Sequence, residues 1–120
     1  TRLAQVLLNL LQNAAQAMPD GGKISVETRK HTERGRDVRV EVVVRDTGPG
    51  IEEETLESLF IPFFTTKKSG TGLGLPICQR IVQAHGGELE VQSVEGLGAT
   101  FIVRLPLAEM TEEAPRLLEV

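Results

Sequence analysis

The sequence predicts an α+β fold: a two-layer α/β sandwich in which helices cover one face of a mixed, mostly antiparallel sheet. Three observations support this prediction. Two segments carry the apolar spacing of amphipathic helices, two pairs of segments alternate apolar and polar residues as strands do, and the strands form hairpins instead of alternating with helices. The chain of 120 residues has room for one domain. We assign residues 1–106 to that domain and the acidic segment 107–120 to a tail or linker.

The first three elements are a helix and two strands. Apolar residues recur at spacings of three and four over residues 3–18, which predicts a helix buried on one side, and the turn residues at 19–22 end it. Apolar and polar residues then alternate over 24–28 and again over 38–44. We therefore expect two strands that flank the polar segment 33–37 as a hairpin.

The remaining elements repeat this arrangement. A short acidic helix is expected at 52–59, and a longer helical pattern covers 73–84 before the glycine pair at 86–87 stops it. Alternation at 89–91 and at 101–105, across a glycine-containing turn, predicts a second hairpin. The expected order is helix, two strands, two helices and two strands.

Composition excludes several classes of function. The net charge is -4 and the chain lacks Trp and Tyr, so neither a basic surface nor stacking aromatic residues favour a nucleic-acid partner. Cys78 is the only cysteine, which excludes an intrachain disulfide and fits a reducing compartment. Because no apolar run is long enough to span a membrane and no signal-peptide pattern is present, we expect these residues to be cytoplasmic.

A row of amides lies on the opening helix. Asn9, Asn13 and Gln16 fall at i, i+4 and i+7 beside the apolar stripe. Such a row is either a solvated helix flank or a source of neutral amide oxygens for a hard cation such as Mg²⁺ whose charge phosphate oxygens already balance.

The segment from Asp46 to Ile51, with the sequence DTGPGI, follows the valine-rich strand. A carboxylate at a strand end, beside glycines that let backbone come close, can accept a hydrogen bond from an exocyclic amine such as that of adenine. The alternative is an ordinary glycine turn capped by the aspartate.

A second glycine-rich segment, GTGLGL from Gly70 to Leu75, opens the second long helix. Exposed N–H groups at a helix start attract phosphate oxygens. The segment is not a Walker loop, because no Lys-Ser or Lys-Thr follows the last glycine. It is not the dinucleotide fingerprint either, because a polar loop precedes it where that motif needs a strand.

Taken together, these motifs resemble the catalytic ATP-binding domain of sensor histidine kinases, in the wider group that includes gyrase B, the Hsp90 chaperones and MutL. The resemblance covers residues 3–106 and implies a Bergerat-type ATP-binding fold. The matching motifs are the N box at 9–13, the first glycine box at 46–51, the F box at 60–67, the second glycine box at 70–75 and the third at 96–98.

The resemblance implies a role for each matching residue. Asn9, Asn13 and Lys67 would be catalytic: Asn13 would hold the Mg²⁺ of the triphosphate, and Asn9 would lie near the phosphates. Asp46 would accept a hydrogen bond from the adenine amino group. The other implied nucleotide-binding residues wall the base or form a lid over the phosphates: Gly48, Gly50 and Ile51 for the base, and Thr65, Thr66, Lys67, Lys68, Ser69, Gly70, Thr71, Gly72, Leu73 and Gly74 for the lid, followed by Leu75.

Two departures from the family pattern matter. Gln16 and Ala17 stand where many members have a lysine and an aromatic residue, which leaves the phosphate charge to Lys67 or Lys68 of the lid. Ala99 follows the third glycine box where a hydroxyl residue often assists the adenine-binding aspartate, and Thr100 has the wrong parity to replace it.

Asn9, one turn before the metal-binding asparagine, decides between two chemistries. ATP-hydrolysing relatives usually have a glutamate there, which can act as a general base. An amide cannot accept a proton, whereas a neutral imidazole is already nucleophilic near pH 7, so Asn9 favours phosphate transfer to histidine over hydrolysis.

The expected function is therefore binding of Mg-ATP and donation of the γ-phosphate to a histidine on a separate dimerisation domain, followed by transfer to a response-regulator receiver domain. His31 and His85 are not the expected acceptors. We expect the isolated domain to be monomeric and the parent protein to be homodimeric, with a possible membrane anchor elsewhere. The alternatives are an ATPase of the gyrase and Hsp90 type and a non-catalytic nucleotide-sensing module.

Overall fold

The computed structural model describes residues 2–62 and 74–107 and shows the predicted order of elements. The elements are α1 (Arg2–Gln16), β1 (Ile24–Glu33), β2 (Arg36–Asp46), α2 (Glu53–Ser58), α3 (Gly74–Ala84), β3 (Glu88–Ser93) and β4 (Ala99–Pro106). Of the predicted tail, only Leu107 belongs to the described residues.

The four strands form one sheet in the order β1-β2-β4-β3. All three pairings between these strands are antiparallel, so the described sheet has no parallel pair where a mixed sheet was expected. This order brings the last strand, β4, beside β2, and therefore places the third glycine box next to the first.

The first hairpin is longer than the alternation predicted. Its strands continue through the polar segment and leave only Arg34 and Gly35 in the turn, with φ angles of 51° and 76°. Two consecutive positive φ angles match a type I′ turn, the two-residue connection that suits the twist of a hairpin. Polar residues continue the strand there because every residue of β1 is exposed.

The hydrophobic core lies between the sheet and the layer of α1 and α3. Val6 and Leu10 of α1 and Cys78 and Val82 of α3 are at most 2% exposed, and they pack on the inward residues of β2 and β4. This two-layer arrangement confirms the predicted sandwich. The full buried cluster contains Val6, Leu10, Val44, Cys78, Ile81, Val82, Leu89, Ala99, Phe101, Val103 and Leu105.

The opposite face of the sheet carries charged side chains beside Val43 and Ile102, which are themselves buried. Arg104 of β4 donates hydrogen bonds of 2.7 Å to both Glu41 of β2 and Glu90 of β3. These hydrogen bonds, the one to Glu90 above all, raise the pKa of the Arg104 guanidinium, and the same contact lowers the pKa of Glu90. Within the described ranges, no helix combines the length and apolar character needed to cross a membrane.

Candidate functional site

Asp46 is the last residue of β2, and its carboxylate is held by backbone from two loops. Its Oδ1 accepts hydrogen bonds from the N–H of Gly48 at 2.9 Å and from the N–H of Ala99 at 3.3 Å. Both bonds use the same oxygen, and the side chain is half-buried. Oδ2 of a carboxylate oriented in this way can accept a hydrogen bond from a ligand.

The Ala99 contact explains how Asp46 is supported without the hydroxyl that the family often places at that position. The main-chain N–H at the start of β4 reaches the carboxylate directly, because β4 pairs with β2. Sequence reasoning considered only side chains at 99 and 100 and did not find this donor.

Three glycines allow the backbone to pack closely around Asp46. Gly50 and Gly98 have φ angles of 77° and 87°, and a Cβ at either one would collide with a backbone carbonyl oxygen, that of Val94 or of Asp46 respectively. A Cβ at Gly48 would lie 3.0 Å from Asp46 Oδ1. Backbone that approaches this closely requires glycine at these positions.

The loop that follows Asp46 is attached to the β3–β4 turn. The N–H of Gly96 donates to the carbonyl of Pro49, and the N–H of Ile51 donates to the Ser93 hydroxyl at 2.8 Å. The same hydroxyl donates to the carbonyl of Gly98, also at 2.8 Å. The first and third glycine boxes thus form one connected backbone unit, and Ser93 is a member that the sequence interpretation missed.

The residues that follow α1 contact the same loop. The Thr47 hydroxyl accepts from the Lys23 N–H at 2.9 Å and lies 3.6 Å from the Met18 sulfur, while the Thr47 N–H donates to the Lys23 carbonyl at 3.1 Å. A Cβ at Gly48 would lie 3.4 Å from the carbonyl oxygen of Ala17. The segment directly after α1 therefore lies beside the Asp46 loop.

The amide row divides between two environments. Asn9 and Asn13 are half-buried, whereas Gln16 is exposed. Burial raises the pKa of the Cys78 thiol of α3, and the Asn9 side chain partly opposes this increase. The thiol lies 3.9 Å from the carbonyl oxygen of Val6. Asn9 therefore lies on the side of α1 that faces α3. Cys78 is a core residue, as predicted.

The start of α3 carries the end of the second glycine box. Gly74 is exposed at the first helical position, and Leu75 is half-buried and packs against the core. The unpaired N–H groups of the first helical turn favour an anion. The other predicted lid residues and two F-box residues lie outside the described residues: Thr65, Thr66, Lys67, Lys68, Ser69, Gly70, Thr71, Gly72 and Leu73 of the lid, and Phe63 and Phe64 of the F box.

Three other predicted residues are described. Phe60 is half-buried and packs on the core, as expected for an anchor at the base of the lid. His85 places Nδ1 2.8 Å from the carbonyl oxygen of Ile81 at the end of α3, the contact expected of a C-terminal cap. His31 is exposed on β1, with Nε2 3.4 Å from a carboxylate oxygen of Glu33.

Together, the fold and the site define the class of the chain: an α/β sandwich in which a half-buried aspartate and two glycine boxes meet at one end of the sheet. The family model described as histidine kinase-, DNA gyrase B-, and HSP90-like ATPase matches residues 1–109. The chain therefore belongs to this ATPase family.

Curated relatives and solved structures agree on the branch of the family. The sensor histidine kinase ZraS of Salmonella typhimurium is 51% identical over 106 residues, which cover 88% of this chain and 22% of the relative. The nucleotide-free catalytic domain of histidine kinase ThkA is 44% identical with a TM-score of 0.75, covering 88% of this chain and 66% of that one. These relatives confirm the resemblance to sensor histidine kinases.

A third similarity comes from a structure with a nucleotide analogue. Full-length ShkA in complex with AMPPNP is 34% identical with a TM-score of 0.73, and the match covers 88% of this chain and 21% of that one. The chain thus spans about a fifth of the length of ZraS and of ShkA.

Proposed function

We propose that this chain binds Mg-ATP at the end of the sheet that Asp46 occupies, with contacts from α1 and from the start of α3, and that it donates the γ-phosphate to a histidine on a separate domain. The observation that carries the proposal is the oriented Asp46 carboxylate. Two backbone donors hold its Oδ1. That arrangement supports an adenine amino group as the partner of Oδ2.

The metal and phosphate contacts belong to this proposal. Within the described residues there is no group of three or more His, Cys, Asp or Glu side chains that could hold a metal ion. Asn13 supplies a neutral amide, which fits a cation that brings its own anionic ligands. Mg²⁺ bound with ATP neutralises charge on the phosphates. Asn13 and Asn9 orient the triphosphate, and Lys67 with the other predicted lid residues covers it.

Asn9 decides between transfer and hydrolysis in this proposal. A side-chain amide cannot take a proton from water, so Asn9 offers no general base at that position. A histidine acceptor does not need one. The partners proposed are a histidine-bearing dimerisation domain of the same parent, which would be homodimeric, and a receiver domain, all in the cytoplasm.

Two experiments test the proposal with the full chain. Calorimetry with ATP, with and without Mg²⁺, is expected to show binding that Mg²⁺ strengthens. Adding the histidine-bearing domain of the parent is expected to give an acid-labile, base-stable phosphoprotein.

Three results would point elsewhere. Absence of ATP and ADP binding would overturn the proposal. Hydrolysis without a histidine partner, abolished by Asn9→Ala, would assign the chain to the ATPase alternative. Tight ATP binding without any phosphohistidine would favour the nucleotide-sensing module.

A further inference from the structure

The Ser93 hydroxyl occupies a position that the family motifs do not assign. Leu89, Val91 and Ser93 form the inward row of β3, and the first two are core residues. Ser93 therefore places a polar group where the alternating pattern calls for an apolar one, at the end of the strand nearest Asp46. A half-buried polar side chain in a core-facing row requires hydrogen-bond partners.

Both partners of Ser93 belong to the proposed purine site. Its oxygen accepts from the N–H of Ile51, the residue expected to wall the base, and its O–H donates to the carbonyl of Gly98. Gly98 precedes Ala99, whose N–H holds the Asp46 carboxylate. One hydroxyl therefore connects the wall of the site to the backbone that orients the carboxylate.

We propose that Ser93 is a positioning residue for purine recognition: it sets the separation between the Ile51 backbone and the Asp46 carboxylate. The proposal rests on the proposed function, since it assumes that Asp46 selects adenine. Ser93 acts through Ile51 and Gly98 and does not itself touch the nucleotide.

The backbone around Ser93 is closely packed. Gly50 lies against the carbonyl of Val94 so closely that even a Cβ would collide with it. The only side-chain contact that the Ile51 N–H makes within the described residues is the one to Ser93. Removing the hydroxyl leaves a part-buried donor and acceptor without this partner, and only the backbone hydrogen bonds from Gly96 to Pro49 and from Ala99 to Asp46 then join the two glycine boxes among the contacts named above.

The test compares Ser93→Ala, Ser93→Thr and Thr32→Ala in the full chain. Ser93→Thr keeps the hydroxyl. Thr32→Ala is the matched control, because it removes a 2.8 Å side-chain hydrogen bond, to Asp37, at the far end of the sheet. Calorimetry measures the dissociation constants of Mg-ATP, Mg-GTP and Mg-triphosphate for each variant, and thermal unfolding without nucleotide measures stability.

For Ser93→Ala we expect Mg-ATP binding to weaken by about 5- to 30-fold, because binding must then restore the site geometry that the two hydrogen bonds fix in the wild type. We expect Mg-triphosphate binding to stay unchanged, so that the preference for ATP over GTP falls. Ser93→Thr is expected to restore the preference, and Thr32→Ala is expected to leave all three dissociation constants unchanged.

The outcomes separate this inference from the proposed function. If the wild-type chain fails to bind ATP or does not prefer it over GTP, the proposed function fails and this inference fails with it. If the wild-type chain prefers ATP and Ser93→Ala keeps both affinity and preference, the inference alone is overturned. If Ser93→Ala does not fold, amide hydrogen exchange of wild-type Ile51 decides: slow exchange that ATP slows further supports the inference, and exchange as fast as in an open loop overturns it.

Discussion

Replacing Asp46 by Asn tests the proposed site with the smallest change of shape. The carboxylate uses Oδ1 to accept from the N–H groups of Gly48 and Ala99. An asparagine can keep its own Oδ1 in that place, so the fold is expected to survive. Its Nδ2 would then stand where Oδ2 stands in the wild type, and a hydrogen-bond donor would face the donor of the adenine amino group.

The expected magnitude follows from the lost bond. A hydrogen bond to a charged group contributes about 1.5–3 kcal/mol, which corresponds to roughly 10- to 150-fold weaker ATP binding. A purine with a carbonyl oxygen in place of the amino group would accept from Nδ2, so we expect Asp46→Asn to bind ITP or GTP better than the wild-type chain does.

Calorimetry with ATP and ITP measures this exchange of preference, and thermal unfolding without nucleotide is the control. Asp46→Ala is the matched variant, because it removes both the acceptor and the potential donor and is expected to lose ATP affinity without gaining ITP affinity. Unchanged ATP affinity in a folded Asp46→Asn chain would refute the assignment of Asp46 to the adenine amino group.

Three further predictions concern stability. Arg34 has a φ of 51°, which a non-glycine residue adopts at a cost that Asn bears more easily, so Arg34→Asn is expected to stabilise the chain by about 0.5–1 kcal/mol in urea unfolding; a loss of stability would contradict this. Gly50→Ala places a Cβ against a backbone carbonyl at a positive φ, so we expect it to lower the free energy of unfolding by about 1–3 kcal/mol and to weaken ATP binding. Equal stability would show that the loop can move aside. The hydrogen bond from Arg104 lowers the pKa of Glu90, so the stability that this pair contributes is present above the ordinary pKa of 4.5 and is lost as pH falls through the lower folded pKa. In acid titrations we therefore expect Glu90→Gln to lose less stability than the wild type. An identical acid profile would contradict the role of Glu90.

Local periodicity was enough to predict the order of the elements and the helical layer, because both depend on residues close together in the chain. The helices α1, α2 and α3 and the second hairpin lie within a few residues of their predicted bounds. The first hairpin was predicted too short, since β1 is exposed along its whole length and its polar residues looked like a loop. Burial, which produces the alternating pattern, is absent there.

The supports of Asp46 could not be predicted in the same way. Ser93 and Ala99 reach the first glycine box across 42 and 53 residues of chain, through contacts that exist only because β4 lies between β2 and β3. Ser93 in an otherwise apolar row is a sequence signal for a buried hydrogen bond, but the residues near it in the chain do not indicate which groups are its partners.

The sequence by itself determined the family, the positions of the glycine boxes and the aspartate that ends β2, because these are properties of residue types at short spacings. Only the tertiary structure decided which backbone donors hold that aspartate and that Ser93 joins the first glycine box to the third. The physical reason is that a hydrogen bond forms between atoms about 3 Å apart, and strand register sets those distances between residues that are remote in the chain.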